Sequence, residues 1–285
     1  MVGGAGESGC VRWLRSEQVV YQKGYLERMH YRKYVALGDS CAEGLDDPYP
    51  DGTGYRGFTD LLAEQLAAAS PSLRYANLAV RGRRMDQILT EQVPLAAELC
   101  PDLVTLFGGG NDVLQGRWQT TADALEATVA TMSEVARTVV LFTLPDIARL
   151  PGLGRLRPRV IQLNELLVST AARHGAILVD VREDASCHDP RLYGEDRLHL
   201  GPLGHQRVAA HALTALGRPP TTNWLDPLPP LENEPLWRTA ARHWLWLRHH
   251  VYPAVHGTIR NKLSGRQPGD GFLPKRPELA RVIAR

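Results

Sequence analysis

Between Tyr34 and Gly217 short apolar, β-branched runs alternate with longer amphipathic stretches, and this alternation leaves the chain few folds to choose from. Five runs read as strands: Tyr34 to Leu37, Arg74 to Ala79, Leu103 to Phe107, Val139 to Thr143 and Ile177 to Val181. Each is short, apolar and bounded by Gly, Pro, Asp or Asn, as expected of strands buried on both faces of a parallel sheet. The stretches between them have helical spacing. Phe58, Leu61, Leu62, Leu66 and Ala69 share one face, as do Met85, Ile88, Leu89 and Gln92, and Ala122 to Arg137 and Ile161 to Arg173 repeat the pattern. A last helix is expected from Gly201-Pro202 to near Gly217, with proline in its favoured first-turn position. Repeated βα units of this kind specify an α/β fold with helices on both faces of the sheet. The loops that follow the strands gather at one edge, where an active site belongs.

Composition excludes several alternatives. With 285 residues, 44% of them hydrophobic, the chain has material for one large domain or two small ones and is neither disordered nor collagen-like. Its longest apolar runs, such as Leu103 to Phe107 and Val139 to Leu144, fall far short of the roughly 20 residues that span a bilayer, so a soluble protein is expected. Met1 to Tyr34 contains no apolar block of the secretory type, so export by the usual signal is not expected. Cys10, Cys41, Cys100 and Cys187 are scattered without a C-x-x-C pair, which suits a reducing cytoplasm and supports neither a disulfide framework nor a structural zinc. A net charge of +2 gives no reason to expect a nucleic-acid partner.

The character changes after Gly217. Arg218 to Arg285 holds 10 of the 20 prolines, four of the six tryptophans (Trp224, Trp237, Trp244, Trp246) and 11 Lys/Arg against 5 Asp/Glu, a net +6 that leaves −4 for the rest. Only Glu234 to Val251 reads as helical there. The organisation expected is an N-terminal extension over 1–33, a core over 34–217 and a Trp/Pro-rich basic extension over 218–285. That extension has three readings: a wrap whose tryptophans pack on the core, a peripheral contact with an anionic surface, or a lid over the substrate pocket.

Four short blocks stand where the loops converge: Gly38-Asp39-Ser40 after the first strand, Gly82 after the second, Gly109-Gly110-Asn111-Asp112 after the third, and Asp196-Arg197-Leu198-His199 after the last. A serine at a strand-to-helix turn is a weak nucleophile until a base lies within hydrogen-bond reach, and His199 can be that base. Asp196 can hold the imidazole in the right tautomer and stabilise its charged form. The backbone N–H groups of Ser40 and Gly82 and the Asn111 amide are the donors for a tetrahedral oxyanion. Together the residues specify acyl transfer through a Ser-His-Asp triad, and the sequence offers no cofactor or metal motif beside them.

The four blocks, in this order and at these βα boundaries, resemble those of the SGNH/GDSL hydrolase superfamily, known by a serine, glycine, asparagine and histidine. Here these are Ser40, Gly82, Asn111 and His199, with Asp196 three residues before the histidine, and the resemblance covers Tyr34 to Gly217. It implies a three-layer, flavodoxin-like α/β/α fold on a five-stranded parallel sheet, and metal-independent hydrolysis of small-molecule esters or thioesters. One departure is Cys41, where the family often has leucine or phenylalanine. Because the first block normally lies near the start of the domain, Met29 is read as a candidate initiator.

Bland readings stand beside these. Asp39 and Asp112 are expected to cap or brace their loops, and Cys41 to be a small buried thiol. A metal site from Cys187, His188 and His199 or His205 matches no familiar spacing, and Gly108-Gly109-Gly110 lacks the Lys-Ser/Thr of a phosphate loop. The loops from Asp46 to Tyr55 and from Leu144 to Pro158 are expected to line the substrate pocket. An acyltransferase or a thioesterase would use the same residues, and the sequence leaves these open; a repurposed core that binds an anionic surface through its basic Trp-rich tail is a further alternative, against which the retained catalytic groups argue.

Overall fold

The computed structural model describes residues 30–115, 118–150, 152–218, 220–231 and 235–282. The expected N-terminal extension therefore falls outside the described residues as far as Met29, together with Cys10 and the Glu234 start of the tail helix.

Six strands form one sheet in the order β5-β4-β3-β1-β2-β6. β1 (Lys33–Gly38), β2 (Arg74–Asn77), β3 (Leu103–Phe107), β4 (Thr138–Phe142) and β5 (Ile177–Val179) are parallel, in the register Val35 to Ala76 and Val104, Val104 to Val139, and Leu141 to Leu178. The five strands expected from sequence are all present, within two residues at each end. β6 (Arg276–Arg281) is an addition: the tail returns and pairs antiparallel with β2, with a register shift between Tyr75 and Asn77.

The helices are α1 (Ser40–Glu43), α2 (Gly57–Ala69), α3 (Met85–Gln87), α4 (Val93–Leu99), α5 (Gly110–Gln115), α6 (Trp118–Val135), α7 (Arg157–His174), α8 (Pro202–Ala215), α9 (Leu236–Trp246) and α10 (Tyr252–Leu263). Wide turns over Ile88–Gln92 and Leu247–Val251 join α3 to α4 and α9 to α10. α2 packs against α8, and α6 packs against α4 and α7, giving the α/β/α layering. Helix in the tail thus runs past the expected limit at Val251, continuing through the wide turn into α10, whose second residue is Pro253.

The core lies on both faces of the sheet, with Val35, Ala36, Leu103, Val104, Val140 and Leu141 fully enclosed. Phe58, Phe107, Phe142 and His205 form an aromatic floor; Phe107 and Phe142 stack at 5.1 Å and Phe58 lies 5.0 Å from Phe142. The tail divides its tryptophans between two environments. Trp246 is buried and Trp224 packs partly on the core, whereas Trp237 and Trp244 are 67% and 59% exposed. The four tail tryptophans are thus split, two enclosed against the protein and two in solvent.

Candidate active site

β1 ends at Gly38 with φ 143°, and a Cβ there would stand 2.1 Å from the Phe107 carbonyl oxygen, so no other residue lets β1 and β3 meet at this edge. The Gln92 side chain closes the same point, accepting from the Gly38 N–H and donating to its carbonyl, both at 2.9 Å. Asp39 then caps α1 by accepting from the Cys41 N–H at 3.2 Å, and Ser40 becomes the first helical residue. Burial pushes the neighbouring Cys41 thiol well up, keeping it protonated and unreactive.

The loop carrying Asp196 and His199 is closed at its base by the Tyr193–Leu200 bridge and is shaped by Asp196 itself, whose Oδ1 accepts from the N–H groups of Leu198 and His199, each at 2.9 Å. Its Oδ2 lies 2.5 Å from His199 Nδ1, and His199 Nε2 lies 2.9 Å from Ser40 Oγ. The structure thus joins Ser40, His199 and Asp196 in one hydrogen-bonded chain across 159 residues. Burial works against charge on both members of the pair, but the bond between them outweighs it. The Asp196 carboxyl is brought down to about 2 and the His199 imidazolium is held above its ordinary range.

Asn111 laces the other two loops to the first. Its Nδ2 donates to Asp39 Oδ2 and to the Arg83 carbonyl, both at 3.1 Å, so the amide bridges the residue beside Ser40 and the residue beside Gly82. Among the described residues the backbone N–H groups of Ser40 and Gly82 donate to no protein acceptor. Asp112 accepts from the Met85 N–H at 3.1 Å and the Thr121 hydroxyl at 2.8 Å, and Asp39 is spent on its cap and on Asn111. Both act as braces, and burial pushes the Asp39 carboxyl up to about 6.

Other neighbours of the site have no part in the triad or oxyanion hole expected from sequence, where Asp46 is only the start of a pocket-lining loop and His205 only a member of a discounted metal site. Asp46, with φ 65°, packs on Gly194 Cα, and its carboxylate, Asp196 and His199 all bring a ligand atom within 4.8 Å of one another. Burial and then the Asp196 charge push the Asp46 carboxyl up. Among the described residues these three form the group that could hold a cation, and two of them, Asp196 and His199, are already bonded to each other. His205 lies elsewhere: it accepts from the Phe58 N–H at 3.1 Å and donates to the Leu45 carbonyl at 3.0 Å, and burial pushes its pKa down to about 4. The tail supplies the rest of the surround. An added Cβ on Gly82 would meet Gly269 N at 2.8 Å, and Arg83 pairs with Asp270 at 3.0 Å. Between the Asp196 loop and α9 lies a cleft of about 660 Å³ lined by Glu195, Arg197, Arg242, Leu245, Trp246 and His250.

Residues 36–207 match the GDSL-like lipase/acylhydrolase family. The chain belongs to that family. It is accordingly a carboxylic ester hydrolase, and the resemblance read from its four blocks is confirmed by the match. Solved structures share the fold of this acylhydrolase. LAE5, described as an alpha/beta hydrolase enzyme from the metagenome of Lake Arreo, Spain, is 24% identical with a TM-score of 0.54 over 65% of this chain and 95% of its own. Axe2, an acetylxylan esterase from Geobacillus stearothermophilus, is 18% identical with a TM-score of 0.54 over 68% of this chain and 95% of its own. No curated protein matches the chain.

Proposed function

We propose that this acylhydrolase cleaves small acyl esters by a serine mechanism that needs no metal, with Ser40 as nucleophile, His199 as general base and acid, and Asp196 as the residue that orients it. The observation carrying this reading is the continuous chain from Ser40 Oγ through His199 to Asp196, at 2.9 and 2.5 Å. Ser40 Oγ attacks the ester carbonyl as its proton passes to His199 Nε2. The tetrahedral oxyanion then draws on the unpaired N–H groups of Ser40 and Gly82 and on the Asn111 amide, which turns one N–H from its present acceptor. Collapse expels the alcohol, which takes the proton from His199. A water, deprotonated by His199, attacks the acyl-enzyme, and the acid leaves as Ser40 regains its proton.

Short acyl groups, including O-acetyl groups on sugars, are the substrates this reading favours. Axe2, which shares the fold, is named as an acetylxylan esterase. Residues 34–217 are taken as the hydrolase unit and 218–285 as an extension that shapes its mouth, and a cytoplasmic site of action fits the unpaired cysteines Cys41, Cys100 and Cys187. Among the described residues no helix is long and apolar enough to cross a membrane.

The test is a fluorophosphonate probe with mass-spectrometric location of the adduct, beside a series of p-nitrophenyl esters of rising acyl length. The adduct should sit on Ser40, and Ser40→Ala should lose both labelling and turnover while its circular dichroism is unchanged. Turnover that survives in Ser40→Ala would refute the assignment. Added alcohol or thiol acceptors report whether the acyl group goes to water or to another nucleophile.

A further inference from the structure

We propose that the outward face of α9, with the turn that follows it, docks on an anionic lipid bilayer. From Leu236 to Leu263 the chain carries Arg238, Arg242, Arg248, Arg260 and Lys262, four histidines and no acidic residue. Trp237 and Trp244 are seven residues apart in one helix and therefore lie within about 20° of each other around its axis, whereas Trp246 is turned nearly half a circle away. That inner tryptophan is the anchor: it is 8% exposed and its Nε1 donates to the Asp196 carbonyl at 2.8 Å. The outer pair stand in water, beside Leu245 and Leu247 at 49% and 48% exposure.

Nine of the fifteen exposed large apolar side chains among the described residues lie between 231 and 273, so the bare apolar surface and the positive charge coincide in the tail. The guanidiniums of Arg238 and Arg248 lie 5.3 and 5.7 Å from the rings of Trp237 and Trp244. Indole at headgroup depth, with arginine beside it to take a phosphate, is how an in-plane amphipathic helix holds a charged membrane surface. A second copy of the same face is disfavoured, since two surfaces that each present Arg238 and Arg248 and no acidic residue repel. Exposed aliphatic side chains beside the indoles suit insertion into lipid, and a stacked nucleic-acid base has no use for them.

Through Trp246 the docked helix lies one side chain from the Asp196 loop, so a bilayer-bound enzyme would meet acyl esters carried at that surface. This consequence rests on the proposed triad; the docking itself does not.

The test uses the full chain with vesicles of phosphatidylglycerol and phosphatidylcholine, against phosphatidylcholine alone, reading co-sedimentation and tryptophan emission, with hydrolysis of a soluble p-nitrophenyl ester measured in parallel. The chain should bind the anionic vesicles only, release in high salt and show blue-shifted emission on binding. Trp237→Ala/Trp244→Ala should weaken binding about tenfold or more, from the apolar area withdrawn. Arg238→Gln/Arg248→Gln should weaken it about fivefold per arginine, the equivalent of ~1 kcal/mol each. Both variants should keep soluble-ester turnover. The proposal falls if a folded, active chain ignores anionic vesicles, if binding survives the double tryptophan variant, or if the same face instead forms a dimer or prefers single-stranded oligonucleotide. Vesicle binding by a chain inactive on every ester would uphold the docking and overturn the hydrolase reading alone.

Discussion

Trp246, in the tail, donates its indole N–H to the main-chain carbonyl of Asp196 at 2.8 Å, so the segment outside the family match braces the loop that carries the candidate triad acid. Arg197 adds to the brace, its guanidinium lying 4.9 Å from the Trp246 ring. Trp246→Phe keeps the packing and removes the hydrogen bond, which is worth about 0.5–1.5 kcal/mol. If that bond aligns the loop for chemistry, kcat on a soluble ester falls by up to about tenfold with KM little changed. A variant with wild-type kcat would show that the tail covers the loop without aligning it.

Asn111→Ala removes a proposed oxyanion donor and also the bridge between Asp39 and Arg83. The loss of the donor alone is expected to cost about 100- to 1,000-fold in kcat. A Tm drop of a few degrees should accompany it, because Asp39 is left buried with one fewer donor. Steady-state kinetics and thermal melts on the same sample separate the two effects; a Tm loss with kcat retained would leave Asn111 a purely structural role.

The pH profile follows from the His199–Asp196 pair. Only the neutral imidazole can take the Ser40 proton, and the pair raises the His199 pKa above 6.5, so kcat/KM should climb with pH along a limb whose midpoint lies above that value. Asp196→Asn removes the charge that favours the imidazolium. The limb should then move to lower pH while kcat falls by about 10⁴. A limb that stays in place in Asp196→Asn would show that another group titrates there.

The parallel core was legible because its strands are buried on both faces and so read as unbroken apolar runs, with Leu103–Phe107 recovered to the residue. β6 was not legible. Its sequence RPELAR has no apolar run and carries a proline, as an edge strand tolerates, and what holds it is chemistry at a distance: Lys275 on Asp60 at 2.9 Å and Arg276 over the Tyr75 ring at 5.3 Å. In the site, the four blocks marked the loops because each needs a particular side chain at a particular turn. Asp46 and Trp246 carried no such mark, since their importance comes only from folding a remote segment against Asp196. Gln92 did leave a trace, as a polar residue on an otherwise apolar helical face; that position is now explained by its grip on Gly38.

The tail is fastened to the core at Arg207 as well, and the loss of that fastening should be readable as stability. Arg207, buried in α8, pairs with Asp184 at 2.7 and 3.0 Å and also donates to the carbonyls of Trp224 and Asp226, while His211 approaches the same carboxylate at 2.9 Å. Burial alone would raise the Asp184 pKa, but the Arg207 and His211 hydrogen bonds outweigh it and hold the carboxyl well below the usual carboxylate range. A depressed folded-state pKa contributes stability that is complete above the unfolded value near ~3.9 and is lost as pH falls through the folded one. Arg207→Ala leaves a buried carboxylate without its partner and frees the 224–226 turn, and should cost about 3–5 kcal/mol at neutral pH. Asp184→Asn/Arg207→Met, which removes both charges, should recover a large part of that loss and flatten the acid limb of stability against pH. Urea melts across the acid range measure both. An Arg207→Ala chain as stable as the wild type would mean that the ion pair fastens nothing, and that the tail is held by its other contacts, among them β6, Trp246 and the Arg83–Asp270 pair.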